Sequence, residues 1–121
     1  MSALIAVNAV GFIDDGASTA DIGPPVFADL DAEPETGVGE NTTIGVIVTN
    51  AALDKQGCHL LAQSGHDGLA RALLPAHTLA DGDALVSASV GDVEAEIFHL
   101  RLLAQQAVTT AVRSVGKSLA S

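Results

Sequence analysis

The sequence predicts a mixed α/β domain in which two helices cover one face of a small sheet. Apolar runs rich in β-branched residues are typical of strands, and two other segments repeat apolar residues at helical spacing. A long stretch rich in Gly, Pro and acidic residues separates the first strand from the second. The predicted order is therefore strand, loop, strand, helix, strand, helix, within a single domain over residues 1–121.

The N-terminal part is predicted to hold two strands joined by a flexible loop. Residues 3–13, ALIAVNAVGFI, are typical of a buried strand with the polar Asn8 in its middle. Residues 14–40 show no sustained period and carry much of the acid, Gly and Pro, which predicts an exposed, flexible loop. Residues 42–49, TTIGVIVT, have the β-branched composition of a strand.

A helix is predicted from Asp54, a suitable N-cap, to about Leu74, with Pro75 ending it. Its buried stripe is predicted to consist of four residues at helical spacing: Leu61, Gly65, Leu69 and Ala72. Gly65 and Gly68 weaken a helix, so we expect a neighbouring element to approach closely there.

A turn at 81–83 leads into a predicted strand of small residues at 84–90, and the last helix follows. Asp92 is predicted to cap this helix, with Glu94 and Glu96 in its first turn, where the helix dipole favours acids. Its apolar positions are predicted to be Val93, Ile97, Leu100, Ala104, Ala107, Ala111 and Val115. The strands look apolar on both faces, so we expect a further layer over the face that the helices leave open.

Charge and composition exclude several classes of function. The formal net charge is −10, and residues 1–53 contain eight acidic side chains but no Lys or Arg. Nucleic-acid binding needs a basic face, so no nucleic-acid partner is expected. The apolar opening segment lacks a charged n-region and is too short to span a bilayer, which predicts a cytoplasmic protein without a membrane anchor. The single cysteine, Cys58, fits a reducing compartment.

A candidate nucleophile stands where the acidic loop meets the second strand, in the sequence Gly39-Glu40-Asn41-Thr42-Thr43-Ile44. The Thr42 hydroxyl could attack the preceding carbonyl and form an ester that water hydrolyses. Thr42 would then carry a new α-amine, which titrates near neutral pH and can serve as the base for its own hydroxyl. A strand start without chemistry is the alternative interpretation of the same residues.

Three linked motifs carry a family resemblance: ENTTIGVIVTNAALDK, LAQSGHDGLARALLPAHT and DGDALVSASVG. Together they resemble the family of L-aminopeptidase/D-esterases, β-peptidyl aminopeptidases and nylon-oligomer hydrolases. ALIAVNAVG resembles the strand that precedes the processing loop in that family. The resemblance implies part of an αββα sandwich whose precursor cuts itself before a Ser or Thr. A threonine nucleophile is similar to the nylon-oligomer hydrolase branch.

The resemblance also implies roles for particular residues. Thr42 would be the nucleophile and Asn41 the last residue of the first fragment, which gives fragments 1–41 and 42–121. Asp81 and Asp83 match the acidic pair that hydrogen-bonds around the nucleophile in the family. An Asp-Gly turn with two solvated acids is the alternative for this pair.

Asn8 matches the family's asparagine that donates to the developing oxyanion, and a buried Asn satisfied by the backbone is its alternative. The resemblance implies a small peptide or amide substrate without cofactor or metal. Family precursors are longer, and a catalytic lysine lies in the part that would precede Met1. We therefore expect association with a missing upstream half or a homo-oligomer, and little activity from this chain alone.

Two other functions stay open on the sequence. One is acyl transfer of the ornithine acetyltransferase type, whose fold is similar and which also cuts before Thr. The other is a non-catalytic packing or subunit-interface module. His59 and His66 are seven residues apart on one helix, not the four of a zinc-binding pair. His77 is expected to be an exposed loop histidine, although its loop could line a site.

Overall fold

The computed structural model describes residues 1–9, 11–17, 41–79 and 81–120. Within these residues the chain forms five strands and two helices: β1 Ser2–Ala6, β2 Phe12–Ile13, β3 Ile44–Ala51, α1 Lys55–Ala72, β4 Leu73–Leu74, β5 Ala84–Val93 and α2 Ile97–Ala120. The predicted mixed α/β class is confirmed. Most of the predicted acidic loop, from residue 18 onward, lies outside the described residues.

Strands β1, β3 and β5 form the main sheet, with β3 in the centre. β1 pairs with β3 in antiparallel register, and β5 pairs with β3 in parallel register. α1 connects the two parallel strands, as a crossover between parallel neighbours requires. Ile44, at the start of β3, lies between Ala6 of β1 and Ala84 of β5.

The predicted strand at 3–13 is wrong in its middle. β1 ends at Ala6, and the chain forms a second strand only at Phe12–Ile13, which pairs with β4 in a separate two-stranded ribbon. A Cβ at Gly11 would collide with the backbone of Leu74 and Pro75, so this crossing needs a glycine. Asn8 therefore lies exposed between two short strands instead of inside a buried one.

Helix α1 follows its sequence signals closely. The Asp54 carboxylate accepts a hydrogen bond from the Gly57 N–H at 2.8 Å, which confirms the predicted N-cap. All four residues of the predicted stripe are buried: Leu61, Gly65, Leu69 and Ala72. The helix ends at Ala72, two residues earlier than expected, because Leu73 and Leu74 pair with β2.

The two helical glycines mark close contacts, as predicted. A Cβ at Gly65 would reach the Ile47 and Leu85 side chains of the sheet at 2.5 and 2.9 Å. A Cβ at Gly68 would lie 2.5 Å from the Gln105 carbonyl oxygen on α2. α1 therefore contacts the sheet through one glycine and α2 through the other.

The predicted start of α2 is wrong. Asp92 lies in β5, which continues to Val93, and α2 begins at Ile97 without an acidic residue in its first turn. Beyond an irregularity in the register, the Ala52 N–H donates to the Val93 carbonyl oxygen at 2.9 Å. This long-range pairing keeps the chain extended past Asp92. Glu94 therefore precedes the helix, and the Glu96 carbonyl accepts from the Leu100 N–H.

α2 packs against α1 and β1 through a stripe with a four-residue step. Its buried apolar residues are Leu100, Ala104, Val108 and Val112. Ala107, Ala111 and Val115, which were predicted to lie on this stripe, are half-buried at its side, and Val93 is an exposed strand residue. Of the helices in the described part of the chain, none combines the length and apolar character that a membrane crossing requires.

The sheet has two unlike faces. On the helix side, Ile5, Ile47 and Leu85 come from the three strands and join one hydrophobic core with both helices. The opposite face carries exposed apolar side chains at alternate positions, including Leu4, Ile44, Val86 and Val90. We call this second surface the open face.

Candidate active site

The parallel pairing of β3 and β5 continues into the segments that precede them. Asn41 forms an isolated parallel bridge with Asp81, and the Gly82 N–H donates to the Asn41 carbonyl oxygen at 2.7 Å. The Ala84 N–H donates to the Thr43 carbonyl oxygen at 2.9 Å. Residues 41–43 and 81–83 therefore run side by side, and the predicted nucleophile lies next to the predicted acidic pair.

Thr42 is half-buried against Gly82. A Cβ built on Gly82 would lie 3.0 Å from Thr42 Oγ1, which is tighter than almost all real contacts of this kind. Any larger residue at this position would press on the Thr42 hydroxyl. The glycine thus lets the 81–83 backbone lie against the predicted nucleophile without crowding its hydroxyl.

The Asp83 side chain is almost fully enclosed, with only 3% of it exposed. Its Oδ1 accepts a hydrogen bond from the Thr43 N–H at 3.1 Å, and its Oδ2 lies 2.7 Å from Nδ1 of His77. A buried carboxylate needs such partners, because an unpaired one would carry a large desolvation cost. The alternative of a turn with two solvated acids therefore does not describe Asp83.

Asp81 has a different set of partners. Its Oδ2 accepts from the Thr78 N–H at 3.0 Å and from the Thr78 hydroxyl at 2.6 Å, while its own N–H donates to the Thr78 carbonyl. These bonds join Asp81 to Thr78 through both backbone and side chains. Asp81 thus fixes the loop that leads to the site, whereas Asp83 binds Thr43, which follows Thr42 directly and precedes β3.

Asn8 reaches the same junction from the end of β1. Its backbone N–H faces Thr43 Oγ1 at 3.4 Å, and Thr43 is fully buried. The structure therefore gathers all the predicted site residues, Asn8, Asn41, Thr42, Asp81 and Asp83, at one end of the sheet. The role of Asn8 as an oxyanion donor stays a prediction.

Two histidines belong to the site although the sequence did not assign them to it. His77 contacts Asp83 through Nδ1, and its Nε2 lies 3.2 Å from Nδ1 of His66 on α1. The two rings are 4.9 Å apart. Partial burial, followed by the nearby His77, lowers the pKa of His66, while Asp83 and Asp67 act in the opposite direction. His77 was expected to be an exposed loop histidine whose loop could line a site, and its pairing with Asp83 depends on a contact that sequence spacing does not reveal.

The histidine pair is part of a hydrogen-bonded chain. His66, His77 and Asp83 face one another, and Asp83 continues the chain to the Thr43 amide. Within the described residues, no group of three or more His, Cys, Asp or Glu side chains could hold a metal ion. His59 lies apart from this chain, exposed on α1, with Gln63 as its neighbour at 3.3 Å.

Comparison with known proteins gives a family and several relatives. The profile of Peptidase family S58 matches residues 1–120. An uncharacterized aminopeptidase of Mycobacterium leprae is 38% identical over 112 residues, which cover 78% of this chain and 30% of that protein. Uncharacterized aminopeptidases of Mycobacterium bovis and Mycobacterium tuberculosis are 51% identical over 53 residues, which cover 44% of this chain and 15% of each relative. The chain thus spans less than a third of the length of these relatives.

Proposed function

The chain belongs to peptidase family S58, and we propose that it forms the nucleophile-bearing part of a self-processing aminopeptidase. In this proposal the chain is cleaved between Asn41 and Thr42, and Thr42 then serves as the nucleophile toward a small peptide or amide. The family and the relatives named as aminopeptidases support a peptidase function. The geometry around the Asn41–Thr42 bond supports the particular residues.

One observation carries the proposal: the Asn41 carbonyl accepts a 2.7 Å hydrogen bond from the Gly82 N–H. This carbonyl is the group that the Thr42 hydroxyl would attack. Negative charge would develop on its oxygen during the attack, and a donor already directed at that oxygen stabilises the charge without reorganisation. Thr42 Oγ1 lies beside Gly82, so the nucleophile and the donor meet at the same carbonyl.

Processing would take place in two steps. Thr42 Oγ bonds to the Asn41 carbonyl carbon, and its proton passes to the Thr42 nitrogen as the C–N bond breaks. The product is an ester between Asn41 and the Thr42 hydroxyl, with a free α-amine on Thr42. Water then hydrolyses the ester and leaves a carboxylate on Asn41. In later turnovers the α-amine takes the hydroxyl proton while Thr42 attacks the substrate carbonyl.

Asp83 and Asp81 have separate parts in this proposal. Asp83 holds the Thr43 N–H and so orients the peptide that directly follows the nucleophile. Its carboxylate would also stabilise the positive charge that the Thr42 amine acquires as it accepts the hydroxyl proton. Asp81 holds the loop that delivers Gly82 to the Asn41 carbonyl.

We further propose that additional polypeptide covers the open face and completes the substrate pocket. The chain spans only 30% of the Mycobacterium leprae relative, and the open face forms an apolar surface lined by residues of all three strands: Leu4, Ala6, Ile44, Gly45, Val46, Ala84 and Val86. Loss of one oxyanion donor typically lowers a rate by ~10²–10³, so a pocket that lacks several groups should show almost no turnover. We therefore expect little or no amidase activity from residues 1–121 alone.

Intact-mass measurement tests the cleavage. The chain is incubated alone and with the N-terminal region of the Mycobacterium leprae relative, and we expect the mixture to yield fragments 1–41 and 42–121. Thr42→Ala should leave the chain intact. Asp81→Asn and Asp83→Asn should slow cleavage far more than Asp92→Asn, which changes an exposed acid on β5.

Four results would contradict the proposal or a part of it. Cleavage before Thr43 would move the nucleophile by one residue. An intact chain under all conditions would favour the non-catalytic module. Acetyl transfer to glutamate without release of an amine from amides would favour the ornithine acetyltransferase type of chemistry. Robust amidase activity of residues 1–121 alone, lost in Thr42→Ala, would show that no further polypeptide is needed.

A further inference from the structure

The hydrogen-bonded series His66–His77–Asp83–Thr43 connects α1 to the residue that follows the proposed nucleophile. Asp83 has two carboxylate oxygens, and the structure gives each a different partner: the Thr43 N–H on one side and His77 on the other. The Asp83 side chain is almost fully enclosed, while His77 is 38% exposed. Whatever fixes the second oxygen of Asp83 therefore also fixes its bond to Thr43.

The position of His77 is set by its backbone. His77 has φ of 54°, in the left-handed region that residues other than glycine and asparagine adopt at some cost. Its ring contacts Asp83, and Asp81 binds the next residue, Thr78. An unfavourable conformation held by its surroundings at a candidate site is a sign of a functional constraint.

Both ring nitrogens of His77 are engaged. Nδ1 faces a carboxylate oxygen, which can only accept, so Nδ1 carries the proton while Asp83 is ionised. Nε2 faces Nδ1 of His66. The lowered pKa of His66 favours its neutral ring, which can either accept from or donate to His77. Because neither nitrogen of His77 is left for the Thr42 hydroxyl, a role as general base for the nucleophile does not fit.

We propose that His77 is a positioning residue: its Nδ1–H holds Asp83 in the orientation that binds the Thr43 amide, and this fixes the backbone that carries Thr42. The catalytic consequence rests on the proposed function, whereas the positioning itself is a property of the folded chain. Without His77 one oxygen of an enclosed carboxylate would lack a partner. Asp83 would then turn toward solvent to find another donor, and its bond to Thr43 would weaken.

The backbone of His77 suggests the variants. His77→Asn keeps an amide N–H donor and a residue type that tolerates positive φ. His77→Gly relieves the backbone but removes the donor. His59→Ala removes an exposed histidine of α1 that takes no part in the His66–His77–Asp83 contacts, and it is the matched control. Circular dichroism of all three should match the unchanged protein.

The primary measurement is amide hydrogen exchange at Thr43 in the full 121-residue chain. We expect His77→Gly to speed exchange of the Thr43 amide by about tenfold or more, because this is the effect of losing one hydrogen bond to a charged group. The Ala84 N–H, which donates to the same residue's carbonyl, should exchange as before. His77→Asn should restore most of the protection. Unchanged exchange at Thr43 in His77→Gly, or no rescue by His77→Asn, would overturn the proposal.

A double-mutant comparison guards against a general loss of structure. In Asp83→Ala the Thr43 amide already lacks its acceptor, so adding His77→Gly should not speed its exchange further. Additive effects would mean that His77 acts on Thr43 by another route and would also overturn the proposal. The cleavage rate in the mixture described above is measured in parallel. Absence of cleavage in the unchanged chain with the exchange pattern intact would reject the proposed function and leave the positioning role in place.

Discussion

The two faces of the central sheet come from the same short strands but differ in what they contact. On β3, Ile47 is 0% exposed beneath the helices, whereas Ile44 on the open face is 52% exposed. The same contrast on β5 separates the buried Leu85 from Val86, which is 63% exposed. Alternation along a strand sends neighbours to opposite faces, so the two sets are interleaved in sequence. Apolar composition therefore identifies a strand here, but it does not tell which face of the sheet the helices of the same chain cover.

The candidate site lies at the end of the sheet where these faces meet. Thr43 and Asp83 are enclosed on the helix side of the sheet. Of the alternate residues, Thr42 is half-buried and Gly82 is exposed. The helix side thus supplies the fixed backbone and its hydrogen bonds. The open side is where a substrate would approach and where the proposed additional polypeptide would form a wall. If that polypeptide is present, the scaffold and the pocket come from different stretches of polypeptide.

The largest effect should come from truncating the buried face. Ile47→Ala removes a fully buried side chain that contacts both sheet and helix, and we expect a loss of about 3–4 kcal/mol in the free energy of unfolding. Ile44→Ala makes the same chemical change three residues earlier on the open face and should cost less than ~1 kcal/mol in this chain. Urea denaturation followed by circular dichroism measures both. Equal losses in the two variants would mean that the open face is already covered in the lone chain.

How much the sequence predicts depends on how local the signal is. The cap at Asp54 and the stripe through Leu61 and Leu69 depend on neighbours within the helix, and these predictions are confirmed. The cap at Asp92 was wrong because pairing with β3 holds that segment extended, and an acid before an apolar run does not report such pairing. The predicted strand at 3–13 was wrong for the same reason, because Phe12–Ile13 pairs with β4 instead of continuing β1.

The site divides in the same way. The resemblance of the motifs to a family predicted Thr42, Asp81 and Asp83 as neighbours, and the structure brings them together. It gave no hint that His77 would pair with Asp83, because that contact depends on a left-handed turn after the end of α1. The role of Asn8 as a donor to the developing oxyanion stays a prediction. Its backbone position at the junction is what the structure describes.

The next effect concerns the helix that lies over the buried face. Gly68→Ala places a methyl group 2.5 Å from the Gln105 carbonyl oxygen, and a backbone atom cannot move aside without shifting α2. We expect a loss of about 2–3 kcal/mol, toward the upper end of overpacking costs. Gly65→Ala meets the ends of the Ile47 and Leu85 side chains, which can rotate, and should cost about half as much. Thermal unfolding of both variants gives the order, and a larger loss in Gly65→Ala would contradict it.

A smaller effect on stability, with a large effect on association, is expected on the open face. Val86→Lys places a charge on a residue that is 63% exposed, so the free energy of unfolding of the lone chain should change by less than ~0.5 kcal/mol. If additional polypeptide packs on this face, the same charge would be buried without a partner and should abolish complex formation. Sedimentation with the N-terminal region of the Mycobacterium leprae relative measures this. Asp92→Lys, at an exposed acid near the far end of β5, is the control for the added charge.

The smallest effect is a pH dependence that comes from His66 on the helix side. Its folded-state pKa lies below the ordinary value of 6.5, mainly because of partial burial and next because of the nearby His77. The unfolded chain therefore binds more protons than the folded one just below pH 6.5, and stability falls as the pH drops through this window. His66→Gln keeps a polar side chain that can accept from His77 but cannot titrate, so its stability should fall less between pH 7.5 and 5.5. Urea denaturation at both pH values measures the difference, with His59→Gln on the same helix as the control.

Asp83, Asp67 and His77 also face His66, so the slope is compared between variants and not read from one protein. Equal slopes in His66→Gln and the unchanged chain would show that the folded and unfolded states bind protons equally at this position.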